Sequence, residues 1–357
     1  MIRLLKKAGH DDVRYHEEPG KGHWYSSELD DGGSHCVDWP PLFDFFASRH
    51  VRAIHEVLQI DFSTLCPAYS DSYAWIRIYS QLQHMLCSRI RASCLPNKRI
   101  IFVETINVQV FQLRTRSILE GQEPTKLLID GDTIVLSVVE DAFIRRTGTT
   151  WQRVETPSPW EKGPHRYGPL KMELRNNLLA IVPSDFRSEL ARMAIQKATL
   201  DREQCIYRAQ AFLEIVTDVE FTQGKIRADG RSLLIYGNEN CNSAWSTVLG
   251  SHCPLRVSRS CIELANEVII SSPRGLALFL YPRVDCPRSS VICVGASGPE
   301  GMRLAFRQPL FQPFVRYPDF SILESSNDGK DPARMVAAGY FSTIWDLVGV
   351  GAEIERL

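Results

Sequence analysis

Tyr15-His-Glu-Glu-Pro-Gly-Lys-Gly-His23-Trp24-Tyr25 is the stretch on which the reading of this chain turns. Gly20 and Gly22 allow a tight loop, because glycine adopts backbone angles closed to other residues. A loop of that kind projects the His23 ring beside two aromatics. Upstream, Ile2, Leu4, Leu5 and Ala8 predict a short amphipathic helix that ends at Gly9, and a strand is expected over Val13–Glu18. Downstream, a polar loop from Ser26 to His35 leads to Trp39-Pro-Pro-Leu-Phe-Asp-Phe-Phe46. The proline pair suits a first helical turn. The helix should end near His50 with Leu42, Phe45 and Phe46 on one face. Such a face needs a sheet to cover it, and fifty residues do not supply one.

Helix, strand, glycine loop, histidine and final helix is the order at the C-terminal end of an α/β-hydrolase. In that fold the catalytic groups follow one another as Ser, then Asp or Glu, then His. With His23 as the histidine, the serine and the acid would both have to lie within 22 residues. The expectation is therefore a chain that carries one triad member and lacks two. No G-x-S-x-G occurs in the 357 residues. The nearest strings, Gly32-Gly-Ser34-His-Cys36 and Gly295-Ala-Ser297-Gly-Pro299, each miss the last glycine. Ser34 also follows the histidine in a polar loop with no strand before it, so the strained strand-to-helix elbow has no place to form.

The rest of the composition is that of an ordinary globular protein, 44% hydrophobic and 23% charged. A net charge of −1 gives no field that would draw nucleic acid or an anionic membrane. No apolar run approaches the roughly 18 residues of a membrane span, and MIRLLKKAGHDD lacks the apolar core of a secretory signal. Ten scattered cysteines contain no C-x-x-C and no zinc-type spacing. They read as reduced thiols of a cytoplasmic protein, and no cofactor or metal is implied.

From about Ala53 to Trp151 the pattern alternates, which argues strands: Val57–Phe62, Trp75–Gln81, Arg99–Leu113, Lys126–Ile129, Thr133–Val139 and Ala142–Arg146. Asp130-Gly131 between two apolar runs is a hairpin signal. Residues 53–151 are thus an antiparallel β domain, and 152–170 form a Pro/Gly-rich connector. Lys162, His165, Arg166 and Lys171 make a small basic group there, most simply a solvated loop between domains. Residues 171–357 read as α/β. Leu178–Val182 leads through Ser184, a candidate N-cap, into a helix over Phe186–Arg208. Strands at Phe212–Thr217 and Ser232–Tyr236 and a helix at Ser243–Leu249 follow. Leu276–Tyr281 and Val291–Gly295 are apolar enough for buried parallel strands. Alternating β and α implies a doubly wound sheet, in a chain that is mixed α+β and α/β overall.

Two loops of that sheet carry polar side chains. Asn238, Asn240 and Asn242 follow a strand and open a helix, where ligands bind in doubly wound sheets. They either hold a polar group or cap the helix and turn the chain. Ser297 and Gly298 lie in Val294-Gly-Ala-Ser-Gly-Pro-Glu-Gly301, a strand–loop–helix unit with the outline of a phosphate cradle. It lacks G-x-x-x-x-G-K-[ST] and the dinucleotide fingerprint. Glycines that let a helix pack closely on the sheet are the alternative.

Taken together, Glu18-Pro-Gly-Lys-Gly-His-Trp24, Lys162-Gly-Pro-His-Arg-Tyr-Gly-Pro169, Leu234-Ile-Tyr-Gly-Asn238, Gly298-Pro-Glu-Gly-Met-Arg303 and Tyr317-Pro-Asp-Phe320 resemble the C-terminal portion of hydrolases related to the prolyl oligopeptidase family. The resemblance spans nearly the whole chain. It implies a remnant of the α/β-hydrolase C-terminus over 1–50, then a β-rich region, then a flavodoxin-like α/β domain. It implies that His23 matches the catalytic histidine, with nucleophile and acid belonging before Met1. Without two triad members no triad catalysis is expected. The expected function is a serine-hydrolase remnant of peptidase or esterase type, inactive alone. The alternative is an accessory protein for interaction or small-molecule binding, in a biosynthetic pathway. A protein partner is expected on the apolar face of 1–50.

Overall fold

The computed structural model describes residues 1–26, 33, 35–121, 123–137, 141–326, 333–349 and 351–356. It forms two compact units, Met1–Val57 and Leu58–Leu357.

The first unit holds α1 (Ile2–Lys7) and α2 (Pro40–Ala47), with the proline pair of α2 in its first turn as expected. None of the described residues from Met1 to Glu56 is buried. The expected strand over Val13–Glu18 does not form; the segment has no regular structure. A strand is held by a neighbouring ladder, and among the described residues of this unit no strand exists to pair with it. Ser34 lies outside the described residues.

In the second unit, strands β1 (Gln59–Thr64), β2 (Ser72–Tyr73), β3 (Ile76–Gln81), β4 (Ser88–Leu95) and β5 (Ile100–Ile106) come first. They are followed by β6 (Val108–Arg114), β7 (Thr125–Ile129), β8 (Asp132–Leu136), β9 (Asp141–Thr147) and β10 (Thr150–Val154). They make two five-stranded sheets, ordered β1-β4-β5-β7-β8 and β10-β9-β6-β3-β2. All pairs are antiparallel except β5 with β7. The single long strand expected over Arg99–Leu113 is two strands. Asn107 between them has φ +54°, a left-handed turn that asparagine tolerates, and there the chain passes from one sheet to the other. Asp130 (φ +44°) and Gly131 (φ +97°) make the expected hairpin between β7 and β8.

After the connector, β11 (Leu178–Val182), α3 (Glu189–Ala209), β12 (Glu214–Thr217), α4 (Asp218–Thr222), β13 (Ser232–Gly237) and α5 (Ala244–Leu249) alternate. A small antiparallel sheet of β14 (Leu255–Ser258), β15 (Cys261–Leu264) and β16 (Glu267–Ile270) comes next. The chain then runs through β17 (Gly275–Pro282), β18 (Ser290–Ala296), α6 (Pro299–Phe306), β19 (Phe320–Glu324), β20 (Arg334–Tyr340) and β21 (Glu353–Arg356). The main sheet is ordered β12-β11-β13-β18-β17-β19-β20-β21. Its first four strands are parallel, and the rest antiparallel.

From β11 the chain steps outward to β12 and then back across to β13. Right-handed crossovers in opposite directions put α3 and α4 on opposite faces. Every residue of β11, β13, β17 and β18 is buried, as strands covered on both faces must be. Three expectations need correction here. β17 runs antiparallel to β18, because residues 283–289 are too few for the dozen or so of a parallel crossover. The N-cap of α3 is Ser188, whose hydroxyl accepts from the Ala191 amide, since the chain turns into the helix a full turn later than Ser184. Lys162 and Arg166 are not solvated; each is about 1% exposed.

Candidate functional site

His23 is exposed, and its ring stands perpendicular to that of Trp24, with centroids 5.0 Å apart. Among the described residues no serine, cysteine or carboxylate hydrogen-bonds to it. A general base needs its proton donor within about 3 Å and a third group to orient the ring. Neither is present around His23 among the described residues.

The asparagine loop sits where the parallel strands end, beside the point at which the strand order reverses. The Asn238 amide donates to Ala296 O at 2.9 Å and its carbonyl accepts from the Asn240 amide. The Asn240 side chain accepts from Arg259 N, tying the loop to the small sheet. The Asn242 amide donates to Ile181 O and Tyr236 O, while its carbonyl accepts from Ala244 N at the start of α5. Asn238 and Asn242 are each about 1% exposed, and these bonds join the ends of β11, β13 and β18. Asp218 completes the cluster, accepting from the backbone of Ser184 and Ser243 and from the Ser243 hydroxyl. Burial opposes its charge, but these donors prevail and hold the carboxyl below its usual range. Thr217-x-x-Glu220, a capping box not among the expectations above, is a local signal that could have marked this corner.

Ser297 and Gly298 are likewise engaged by main chain. The Ser297 hydroxyl donates to Ser272 O at 2.7 Å and accepts from Gly275 N at 2.9 Å. A Cβ on Gly298 would stand 2.4 Å from Pro273, and one on Gly301 would stand 1.9 Å from Gly275 O. These glycines let α6 approach β17 at backbone contact.

The β domain and the main sheet are joined by a buried polar anchor that the connector supplies. Lys162 Nζ pairs with Asp319 and donates to Phe341 O at 2.7 Å, under the ring of Trp345 at 4.9 Å. Burial lowers Lys162 and raises Asp319, and in each the partner's charge opposes the shift. Arg166 donates to Ser289 O and Pro159 O, and burial pulls it down to about 10. Beside them Tyr167 hydrogen-bonds Gln81 and His84, both on the β domain.

Hollows open on the surface of this unit. One, about 1040 Å³, is a groove over the first β sheet, where Arg91 lies beside Asp61. A second, about 750 Å³, lies against Tyr79, His165 and Cys286. The third, about 580 Å³, is a cleft walled by Leu65 and Met85 from the β domain and by Phe314 and Val315 from the loop after α6. Among the described residues no group of three or more His, Cys, Asp or Glu side chains forms a metal site. Among the described residues no helix is long and apolar enough to cross a membrane. Compared with known proteins, the chain matches no protein-family model and no curated protein.

Proposed function

We propose that this chain is a hydrolase-derived module that does not cleave substrate by itself and serves in binding. The observation that carries the reading is the isolation of His23 from any nucleophile or acid among the described residues. Supporting it, the β11, β12 and β13 strands are ordered 2-1-3, as at the start of a flavodoxin-like sheet. The polar loops at the carboxyl ends of that sheet are closed by internal hydrogen bonds rather than held open. The first unit fits a partner-dependent element. Phe43 and Phe46 of α2 are more than half exposed, and a protein partner there would cover them.

The test is labelling of the purified chain with a serine-reactive fluorophosphonate. No labelling is expected. Stoichiometric labelling of one serine, abolished by His23→Ala, would overturn the reading by showing a working triad.

A further inference from the structure

We propose that the 580 Å³ cleft between the β domain and the loop after α6 binds an amphipathic monocarboxylate. The proposal rests on the reading of the chain as a binding module and gives that module a ligand class. The volume lies within the range of about 300–1,000 Å³ that suits small organic ligands. Leu65, Tyr69, Met85, Phe314 and Val315 provide apolar walls. Lys171 and Arg316 are the charged lining residues, and no carboxylate lines the cleft among the described residues.

The two cations are uncompensated. Lys171 donates to Gln312 O, a neutral acceptor, and burial holds its ammonium below the usual range. Arg316 is exposed and has no carboxylate partner among the described residues. Arg274 and Arg334, by contrast, each pair with Glu324. An apolar hollow carrying two positive charges and no negative one is complementary to a tail with an anionic head. A planar carboxylate matches the arginine fork and the lysine point charge together.

Backbone strain falls on the same walls. Met85 (φ +59°) and Phe314 (φ +65°) both hold left-handed angles that residues bearing a side chain rarely adopt. Strain of this kind gathers at ligand clamps. The Phe314 ring is wholly exposed at the rim, where a bound tail would give it apolar surface to cover. The cleft binds without reacting. No histidine lines it among the described residues, and burial raises the Cys66 thiol in its wall, which disfavours the thiolate.

The experiment is calorimetric titration of the full chain with decanoate, with decan-1-ol as tail alone and acetate as head alone. Decanoate should bind at one site, with the alcohol and acetate each about tenfold weaker or more. Arg316→Met, an exposed change that leaves the fold intact, should weaken decanoate about tenfold and leave the alcohol unchanged. Lys171→Met should act in the same direction. Absent decanoate binding, equal affinity for acid and alcohol, or an Arg316→Met variant with undiminished decanoate affinity would each overturn the proposal. Fluorophosphonate labelling of the same sample separates the two readings. A labelled protein that binds decanoate refutes the silent-module reading and keeps the cleft; an unlabelled one that does not bind refutes the cleft alone.

Discussion

Among single residues, His84 makes the sharpest prediction. It is 2% exposed, its Nδ1 lies 3.0 Å from the Tyr167 hydroxyl, and its Nε2 is buried with no hydrogen-bond partner of good geometry among the described residues. A Cβ on Gly351 would stand 2.5 Å from that Nε2, so the ring is closed in on that side as well. Burial, reinforced by the charge of Lys162, pulls the imidazole down to about 2. The folded state therefore keeps His84 neutral while the unfolded chain takes up a proton near pH 6.5. A depressed folded value means stability is full above about pH 6.5 and is lost as the pH falls below it. The slope for one such group is about 1.4 kcal/mol per pH unit. Urea midpoints measured at pH 7, 6 and 5 should fall accordingly, and His84→Gln should flatten the decline. Identical pH dependence in the two proteins would mean that His84 reaches solvent and is protonated in the fold.

Among elements, α6 owes its place to Gly301. An added Cβ would meet the backbone of Gly275, the first residue of the buried strand β17, at 1.9 Å. Backbone in a buried strand cannot swing aside as a long side chain can. Gly301→Ala should therefore destabilise by about 1–3 kcal/mol through overpacking, although alanine is worth about 1 kcal/mol more in a helix. A variant with unchanged or higher thermal stability would show that α6 stands off β17. Elements like α6 were legible in the sequence because a strand, a glycine loop and a helical face follow one another locally. The hairpin at Asp130-Gly131 was legible for the same reason. The sheet crossing at Asn107 was not, because apolar alternation continues on either side of it. Strand β4 escaped because its inward positions include Ser88, Ala92 and Cys94, whose small side chains give weak alternation. The direction of β17 is hidden in its composition, since a buried run reads alike both ways. The seven residues before β18 carry that information instead.

For the second unit as a whole, the decisive contacts join residues far apart in the chain, which local patterns do not reveal. A Pro/Gly-rich connector announces a loop, but nothing in its composition says that Lys162 ends beside Asp319, 157 residues away. The cleft is hidden for the same reason, its walls coming from residues 63–66, 69–70, 85, 169, 171 and 314–317. The Lys162 anchor should thus set the stability of the junction between the β domain and the main sheet. Asp319 also accepts from Phe341 N at 3.1 Å, so it fastens the start of β19 to the end of β20. Lys162→Met leaves the carboxylate buried without its counter-charge, a loss of about 3–5 kcal/mol. Lys162→Met with Asp319→Asn removes the orphan charge while the amide oxygen still accepts from Phe341. That pair should recover most of the loss, because a buried ion pair is worth little beyond its neutral replacement. Chemical unfolding of the two variants decides the matter. If the double variant is as unstable as the single one, the charges themselves hold the junction. If the single variant unfolds like the parent, the anchor is not closed in solution.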